Sequence, residues 1–343
     1  MSYQTKLVKI KKTNNIKKLL NEETIKFGAE LLRKGELVAF PTETVYGLGA
    51  DARREDAVKK IFEAKGRPQD NPLIVHISID YNLESLLYSR PSTLAMKLID
   101  SFWPGPMTLI FKKNNIIPDI TTAGHATVAL RMPSLPVAQA LIMAAGIPIA
   151  APSANSSGYP SPTRAIHVYN DLNKRIPYII DAGSSQVGVE STVIDISGEE
   201  PLILRPGGIT REEIKKRSGL ELDTKIKLNE GEAPLAPGMK YRHYSPDTKL
   251  KIIDINDKDS YQEYYHKNAV IVLTDESANK ILNEDNLKIV KMGSIYNMKQ
   301  IAHNIFDILR RLDKVDIDII LVEKLPEKGL GEAIMNRLHK ASS

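Results

Sequence analysis

Three arginines stand beside proline or glycine in segments that begin or end predicted strands. They are Arg67 in KGRPQDNPLIVH (65–76), Arg131 in TVALRMPSLP (127–136) and Arg205 in VESTVIDISGEEPLILRPGG (189–208). A guanidinium that projects from a stiff turn can pair through two hydrogen bonds with a carboxylate or a phosphate. Any one of these arginines alone is more typical of an ordinary surface or structural residue. Together they predict a site for a polyanion.

A fourth segment, APSANSSGYPSPT (151–163), places hydroxyl and amide side chains between prolines and a glycine. Such a loop offers neutral donors and exposed main-chain N–H groups, which suit a bound phosphate as well as an ordinary polar surface. A nucleophilic serine is disfavoured, because there is no Gly-x-Ser-x-Gly turn and no acid and histidine stand out as partners for Ser153 or Ser191.

The segment ELVAFPTETVYGLGADA (36–52) runs from an apolar strand that stops at Pro41 into threonines, a tyrosine and two glycines. Open α/β folds bind ligands at the carboxyl edge of the sheet, which makes this stretch a candidate site. A tight turn packed by Tyr46 is the structural alternative. Two glycines without a third do not form the dinucleotide fingerprint, so NAD binding is disfavoured.

Metal and thiol chemistry are restricted by what the chain lacks. There is no cysteine, which excludes disulfides, thiolate catalysis and cysteine zinc sites. No cluster of histidine and acidic residues has metal-ligand spacing, so Mg²⁺ would be carried mostly by phosphate oxygens. His76 ends an apolar run, and its roles as a core residue and as a site residue both remain open.

The composition, 42% hydrophobic and 26% charged over 343 residues, is typical of a soluble globular protein of about two domains. The net charge of +5 is scattered along the chain. The densest basic cluster, residues 6–18, has no interleaved aromatic residues, which favours a solvated surface over an RNA-binding arm. The apolar run 138–151 is shorter than the roughly 18 residues that span a bilayer. We expect a cytoplasmic protein with no membrane segment.

The hydrophobic patterns predict an α/β fold that positions these segments. Helices are predicted at 22–35, 54–66, 91–101, 134–145 and 210–218, and strands at 37–40, 72–78, 107–111, 127–132, 148–151, 178–182, 192–196 and 202–205. Late strands follow one another with only short turns, which predicts a twisted sheet of mixed parallel and antiparallel strands.

A change of composition at 229–247, rich in proline and without an apolar period, predicts a linker. We therefore predict a catalytic domain at 1–228, a linker at 229–248 and a smaller Rossmann-like, open α/β domain at 249–343. In the last domain, strands are predicted at 250–255, 269–273, 287–293 and 318–321, with a helix at 298–312 and a final helix.

Seven motifs in order, over roughly 36–210, resemble the YrdC-like domain of threonylcarbamoyl-AMP synthases. They are FPTETVYGLGADA, KGRPQDNPLIVHI, FWPGPMTLIF, VALRMPS, APSANSSGYPSPT, VESTVIDI and LRPGGIT. The linker motif APGMKYRHYSP (236–246) and the trailing α/β domain are similar to the longer, two-domain form of the family.

The resemblance implies an enzyme that joins L-threonine, bicarbonate or CO2, and ATP into threonylcarbamoyl-adenylate and pyrophosphate. Partner transferases would then use the adenylate to modify adenosine in tRNA, and direct tRNA binding by this chain stays open. By matching motif position, L-threonine would be held by Thr44, His76, Arg131, Ser153 and Ser191. The nucleotide would be held by Arg67, Asn71, Thr127, Asn155, Thr163, Arg205 and His243, with Lys65, Arg67 and Arg205 as the catalytic cations.

Two further hypotheses complete the sequence-based picture. The surface of Thr42, Thr44 and Tyr46 suits a small zwitterion and leaves room for its methyl group. The linker motif 236–246 is predicted to close over the nucleotide as a lid, because its aromatic residues are unusual in a passive spacer. A non-enzymatic RNA-binding protein and a carbamoyltransferase with another acceptor are the alternatives, disfavoured by few aromatic platforms and by the lack of cysteine, respectively.

Overall fold

The computed structural model describes residues 3–224, 234–235, 243–264, 266–281 and 288–342. In the first range, the strands are Lys6–Lys9 (β1), Val38–Pro41 (β2), Tyr46–Asp51 (β3), Ile74–His76 (β4), Met107–Lys112 (β5), Thr127–Arg131 (β6), Ile149–Ala150 (β7), Tyr178–Asp181 (β8), Thr192–Asp195 (β9), Leu202–Arg205 (β10) and Asp223–Thr224 (β11). The helices are Ile16–Leu20 (α1), Glu23–Arg33 (α2), Glu55–Lys65 (α3), Thr93–Phe102 (α4), Asp119–Thr122 (α5), Pro136–Ala145 (α6), Ala165–Leu172 (α7) and Arg211–Ser218 (α8).

The helix ends follow local chemistry. Helix α3 stops at Gly66, which adopts the left-handed conformation with a φ of 61° that glycine permits at low cost. Helix α8 begins with a capping box in which the Thr210 and Glu213 side chains each accept from the other's main-chain N–H. Helices α1, α5 and α7 were not predicted. Among the described residues, no helix is both long enough and apolar enough to cross a membrane.

The eleven strands form one sheet in the order β1-β8-β2-β3-β7-β4-β6-β5-β9-β10-β11. Pairs such as β4 with β6 and β5 with β9 are parallel, whereas β5 with β6 and β9 with β10 are antiparallel. The predicted mixed sheet is therefore confirmed. The strand β1, inside the basic cluster, pairs only with β8 at one edge, which leaves its lysines on the surface.

The glycine-rich stretch after Pro41 folds differently from the sequence-based expectation. Instead of a strand followed by a loop, it forms a hairpin in which β3 pairs antiparallel with β2. Strand β3 was missed because glycine is a weak strand former. Packing requires it: a Cβ on Gly49 would lie 2.9 Å from both Ile149 Cγ2 and the Phe40 ring.

The C-terminal residues form a second, smaller sheet. Its strands are Lys249–Ile253 (β12), Ala269–Thr274 (β13), Lys288–Gly293 (β14) and Ile319–Glu323 (β15), and the helices are Asp275–Ile281 (α9), Met298–Leu312 (α10) and Leu330–Ser342 (α11). All its pairs are parallel, in the order β12-β15-β13-β14. Its core, built largely from α10 and α11, also takes in Val189 and Tyr244 from outside the sheet. This core therefore joins the second sheet to the first domain.

Candidate active site

A concave pocket opens on one face of the large sheet, with about 630 Å³ of space outside the protein atoms when the open solvent at its mouth is included. Its wall includes Ile74 and His76 on β4, and residues two apart on a strand point to the same side of a sheet. The pocket therefore lies on the sheet face, not only at the predicted carboxyl edge. It is lined by the predicted residues Thr44, Arg67, His76, Arg131, Ser153, Asn155, Ser191, Arg205 and His243, together with Thr42, Val45, Gly47, Ile74, Ala151, Pro152, Tyr159, Ser161, Glu190 and Tyr244.

One row across five neighbouring strands positions much of this wall. In register, His76 pairs with Arg131, Arg131 with Thr108, Thr108 with Val193, and Val193 with Arg205. Residues directly opposite each other on paired strands project to the same face. The row therefore brings together cations that lie far apart in the sequence. Arg67, Arg131 and Arg205 are only 9%, 4% and 5% exposed, so none of them is an ordinary surface arginine.

Arg131 is anchored by an acidic residue that the sequence did not single out. Its Nη2 donates to Glu43 Oε1 at 2.7 Å, and the two side chains are 5% and 4% exposed. The other carboxylate oxygen of Glu43 accepts from Ser134 N at 3.1 Å. Arg131 Nε is buried without a hydrogen-bond partner. One edge of the guanidinium is thus fixed, and the Nε donor remains available to an anion.

His76 lies beside Arg131 and is 3% exposed. Burial, and then the charge of Arg131, lower the pKa of His76 to about 3. The ring is therefore neutral at physiological pH, with Nδ1 buried and without a partner. A base this weak is poorly matched to accept a proton near pH 7, so His76 is better suited to hydrogen bonding than to general base catalysis.

Arg205 forms hydrogen bonds with the loop that precedes β9. Its Nε and Nη2 donate to Ser191 O at 3.2 Å and 3.0 Å, and Nη2 also lies 3.1 Å from Ser191 Oγ. Ser191 Oγ in turn shares a 2.7 Å hydrogen bond with Thr108 Oγ1. Ser191 is therefore a polar group that is fixed by Arg205 and Thr108.

Lys65, which was predicted to be a catalytic cation, holds the 151–163 loop in this structure. Lys65 Nζ donates to the main-chain carbonyls of Ser153 and Asn155, and Lys65 is 3% exposed. It does not line the pocket. Asn155 Nδ2 is likewise used within the loop, donating to the carbonyls of Ser156 and Tyr159. Its Oδ1 is buried without a partner.

The Thr42 to Tyr46 surface is only partly as predicted. Thr42 Oγ1 closes a turn by donating to Val45 O at 2.7 Å, and it lies 2.8 Å from Thr44 Oγ1. Both threonines reach the pocket wall. Tyr46 does not line the pocket: its hydroxyl donates to Gly183 O at 2.7 Å instead. The turn interpretation is therefore right for Tyr46, which packs in the core.

The remaining nucleotide predictions are spread more widely. Arg67 lines the pocket, with Nη2 directed at the carbonyls of Asn71 and Pro72 at 3.4 Å and 3.3 Å. Asn71 and Thr127 are not on the pocket wall. Thr163 lines a different cavity, which also includes Asp307 of α10. Part of the predicted set therefore lies on the pocket wall, and Lys65, Asn71, Thr127 and Thr163 do not.

Glu190, which lines the pocket, is a second acidic residue that the sequence did not single out. Its carboxylate accepts from Ser161 Oγ and, at 2.9 Å, from Arg337 Nε of α11. Burial raises the pKa of Glu190, but Arg337 and Arg205 outweigh burial and hold it below its ordinary value. An isolated glutamate carries no spacing signal, so only the sequence motif around it could have marked it.

His243 lies on the wall of the pocket. Burial, and then the charge of Arg67, lower the pKa of His243 to about 3, and its Nε2 is buried without a partner. Most of the linker motif, at 236–242, lies outside the described residues, including Tyr241 and Arg242 of the predicted lid. The described end of the motif thus places one predicted nucleotide ligand, His243, on the wall.

Comparison with known proteins places this pocket in a family. Residues 30–207 match the Sua5, YciO and YrdC family model, described as "Telomere recombination", and residues 209–343 match the model "Threonylcarbamoyl-AMP synthase, C-terminal domain". Threonylcarbamoyl-AMP synthase from Bacillus subtilis is 47% identical over 327 residues, which cover 94% of each chain. The chain belongs to the threonylcarbamoyl-AMP synthase family.

Two archaeal comparisons extend this result to the whole chain. Threonylcarbamoyl-AMP synthase from Pyrococcus abyssi is 44% identical over 334 residues, 96% of each chain. The crystal structure of P. abyssi Sua5 complexed with L-threonine superposes with a TM-score of 0.86 and 41% identity, covering 98% of both chains. The two-domain synthase architecture inferred from the motifs is therefore confirmed.

Proposed function

We propose that this protein forms threonylcarbamoyl-AMP and pyrophosphate from L-threonine, bicarbonate or CO2, and ATP, and so acts as a nucleotidyltransferase. The observation that carries the proposal is the pocket itself, where three nearly buried arginines surround hydroxyl groups that have no nucleophilic activation. Such a surface binds anions and positions them for reaction rather than forming a covalent bond with them. The product would be passed to a transferase that modifies adenosine in tRNA.

L-Threonine is proposed to lie at the Arg131 end of the pocket. Arg131 Nε is a buried donor in need of an acceptor, and the substrate carboxylate would supply one. Thr44 and the neutral His76 would bound the side chain, with Ser153 and Ser191 on the adjoining wall. Support comes from the P. abyssi relative, which was solved in complex with L-threonine.

ATP is proposed to lie toward Arg67, Arg205 and His243. The neutral amine of threonine would add to CO2 and lose a proton, which gives a carbamate. One carbamate oxygen would then attack the α-phosphorus as the bond to pyrophosphate breaks. The two arginines would offset the charge that builds on the phosphates. Lys65 would contribute indirectly, because its ammonium fixes the carbonyls of the 151–163 loop.

Magnesium is proposed to enter with the ATP phosphates. Among the described residues, no group of three or more histidine and acidic side chains is arranged to hold a metal ion. Of the acidic residues that the structure describes, only Glu190 lines the pocket, and its carboxylate is paired with Arg337. Hard cations prefer oxygen ligands, so the phosphates would supply most of them. Mg²⁺ would neutralise charge on the leaving pyrophosphate.

The 236–246 motif is proposed to cover the nucleotide. His243 on the pocket wall and the hydrogen bond from Ser245 N to Gly158 O, 2.9 Å long, support this for the described end. A closed lid would protect a mixed anhydride from water. We expect His243→Ala to shorten the lifetime of the adenylate once the excess substrates have been removed. Mass spectrometry over time measures this lifetime. An unchanged lifetime would reduce the motif to a tether.

The reaction is tested by incubating the full-length protein with ATP, L-threonine and labelled bicarbonate while following pyrophosphate. Pyrophosphate should form only when threonine is present, and the label should enter an adenylate of matching mass. Omitting threonine is the control for simple ATP hydrolysis. Threonine-independent release, or release without label incorporation, would contradict the proposed reaction.

A further inference from the structure

Arg337 on α11 belongs to the second domain and contacts residues that form or adjoin the wall of the pocket. It is 1% exposed and among the largest fully buried side chains among the described residues. Its Nε donates to Glu190 Oε2 at 2.9 Å, and its Nη1 donates to the carbonyl of Pro206 at 2.5 Å. Its guanidinium also lies 5.6 Å from the centre of the Tyr244 ring. The side chain therefore contacts three separate segments of the chain.

Each of these three contacts is one residue away from a pocket residue. Pro206 follows Arg205, Tyr244 follows His243, and Glu190 precedes Ser191 while lining the pocket itself. Arg205 and His243 are the residues proposed to hold the nucleotide. Arg337 thus touches the main chain or side chain next to both of them without lining the pocket.

The segments that Arg337 holds are packed too closely to move independently. Gly208 N donates to Glu190 O at 2.9 Å, and a Cβ on Gly207 would lie 2.4 Å from Glu190 O and from the main chain of Ser191 and Thr192. A shift of Glu190 must therefore displace the turn that follows Arg205. Because Arg337 fixes both segments, it sets the direction in which the Arg205 guanidinium enters the pocket.

The Tyr244 ring is also held in place by residues of the second domain. It has a φ of 65°, a left-handed conformation that is costly for a residue with a large side chain. Its ring stacks on Phe306 of α10 with centroids 5.5 Å apart. Arg337 and Phe306 together hold this ring from the second domain, and the neighbouring His243 follows it onto the pocket wall.

We infer that Arg337 is a positioning residue for ATP: through Glu190, Pro206 and Tyr244 it orients Arg205 and His243, and the second domain thereby completes the nucleotide site. The inference rests on the proposed function for its choice of ligand. Replacing a buried ion pair by well-packed apolar residues is often neutral or stabilising, so the pair of Arg337 with Glu190 is weak evidence for a purely stabilising role. Among the described residues, no hydrogen bond or ion pair joins Arg337 to Thr44, His76 or Arg131. Only Ser191, of the residues proposed to bind threonine, lies next to a contact of Arg337, so threonine binding should be affected much less than ATP binding.

The test measures ATP binding and L-threonine binding separately by calorimetry on full-length Arg337→Met, Arg337→Lys and wild-type protein. ATP affinity should fall about ten- to a hundredfold in Arg337→Met, the size expected for loss of charged hydrogen bonds. Threonine affinity should change less than about threefold. Arg337→Lys should be intermediate in ATP affinity, because one ammonium cannot reproduce the forked contact with Glu190 and Pro206.

The control is Glu332→Gln, which removes an exposed contact between the same helix and Arg211, 3.5 Å long. It should leave both affinities unchanged, because surface ion pairs contribute little. Equal losses of ATP and threonine affinity in both Arg337 variants, or no loss in either, would overturn the inference. If Arg337→Met does not fold, the ratio of the two affinities in Arg337→Lys decides it.

Failure of the proposed reaction gives a different pattern. If wild-type protein released no threonine-dependent pyrophosphate but bound ATP, the reaction would be wrong and the selective loss of ATP affinity would still support Arg337 as a positioning residue. If wild-type protein bound no ATP, the inference would fall together with the nucleotide site.

Discussion

The two ends of the pocket are held in different ways. At the Arg131 end, the guanidinium is fixed by Glu43, which lies in the β2–β3 turn of the same domain. At the Arg205 end, the wall is fixed by Glu190, whose partner Arg337 belongs to the second domain. The Arg131 end, where L-threonine is proposed to bind, is therefore anchored within the first domain, whereas the Arg205 end, proposed for ATP, is anchored by the packing of two domains.

Breaking the internal anchor should have the largest effect. Glu43→Ala leaves Arg131 buried without its counter-ion, which should lower the free energy of unfolding by about 3–5 kcal/mol. Urea unfolding of the full-length protein measures the loss. Asp56→Ala is the control, because it removes an exposed partner of Arg54 and should cost less than about 1 kcal/mol. Similar losses in the two variants would mean that the Arg131 pair is not structurally special.

Substituting the two arginines should separate the two ends. Arg131→Ala should weaken L-threonine binding by about 1.5–3 kcal/mol and ATP binding much less, because a charged hydrogen-bond donor to the carboxylate is lost. Arg205→Ala should do the reverse. Calorimetry with each ligand alone provides the comparison. A reversed pattern would mean that the ligand assignments must be exchanged, and equal losses would mean that the ends are not separate.

Substrate choice sharpens the description of the Arg131 end. Serine lacks only the methyl group of threonine, which is worth about 1–3 kcal/mol in an enclosing site. We therefore expect serine to react roughly 10- to 200-fold less efficiently, and glycine to react less efficiently again. Initial rates of pyrophosphate release at limiting amino acid measure this. Equal rates for serine and threonine would show that Thr42 and Thr44 do not enclose the methyl group.

Acid stability provides a difference that is small for each pH unit, and it arises because each end contains one largely buried, neutral histidine. The pKa values of His76 and His243 are lowered to about 3, below the ordinary value near 6.5. Between these values the unfolded state binds more protons, so stability falls as pH falls, by about 1.4 kcal/mol per pH unit per histidine. The stability is fully present above pH 6.5.

Urea unfolding between pH 4 and 7 tests this dependence in wild type, His76→Gln and His243→Gln. Each variant should have a shallower slope than wild type, by at most about 1.4 kcal/mol per pH unit. His339→Gln, which changes an exposed histidine, is the control. A wild-type slope retained in either variant would mean that the histidine concerned is not held neutral.

The site could be predicted where the sequence itself constrains the backbone. Arg131 and Arg205 end strands and Arg67 follows the glycine that ends α3, each within two residues of a proline or glycine, and the fold brings them to one pocket. Glu43 and Glu190 could not be predicted, because their importance comes from partners 88 and 147 residues away. Lys65 was assigned a catalytic charge from its place in a cationic loop, but side-chain direction turns it toward two carbonyls.

The same limits apply to the fold. The long helices and the parallel strands of the second domain have strong hydrophobic periods and lie where they were predicted, as α10 at Met298–Leu312 illustrates. Strand β3 has no such signal, because Gly47 and Gly49 are there for close packing rather than for strand propensity. Local sequence indicates the conformational preference of a segment, and tertiary packing determines those strands and helices that local preference does not.

The row from His76 to Arg205 restricts how this sequence can change during evolution. Deleting or inserting one residue within β4, β6, β5, β9 or β10 would shift that strand by one position and turn its side chain in this row to the opposite face. Length changes in the intervening loops carry no such penalty. In functional descendants of this chain, insertions and deletions should therefore accumulate between these five strands and be absent within them.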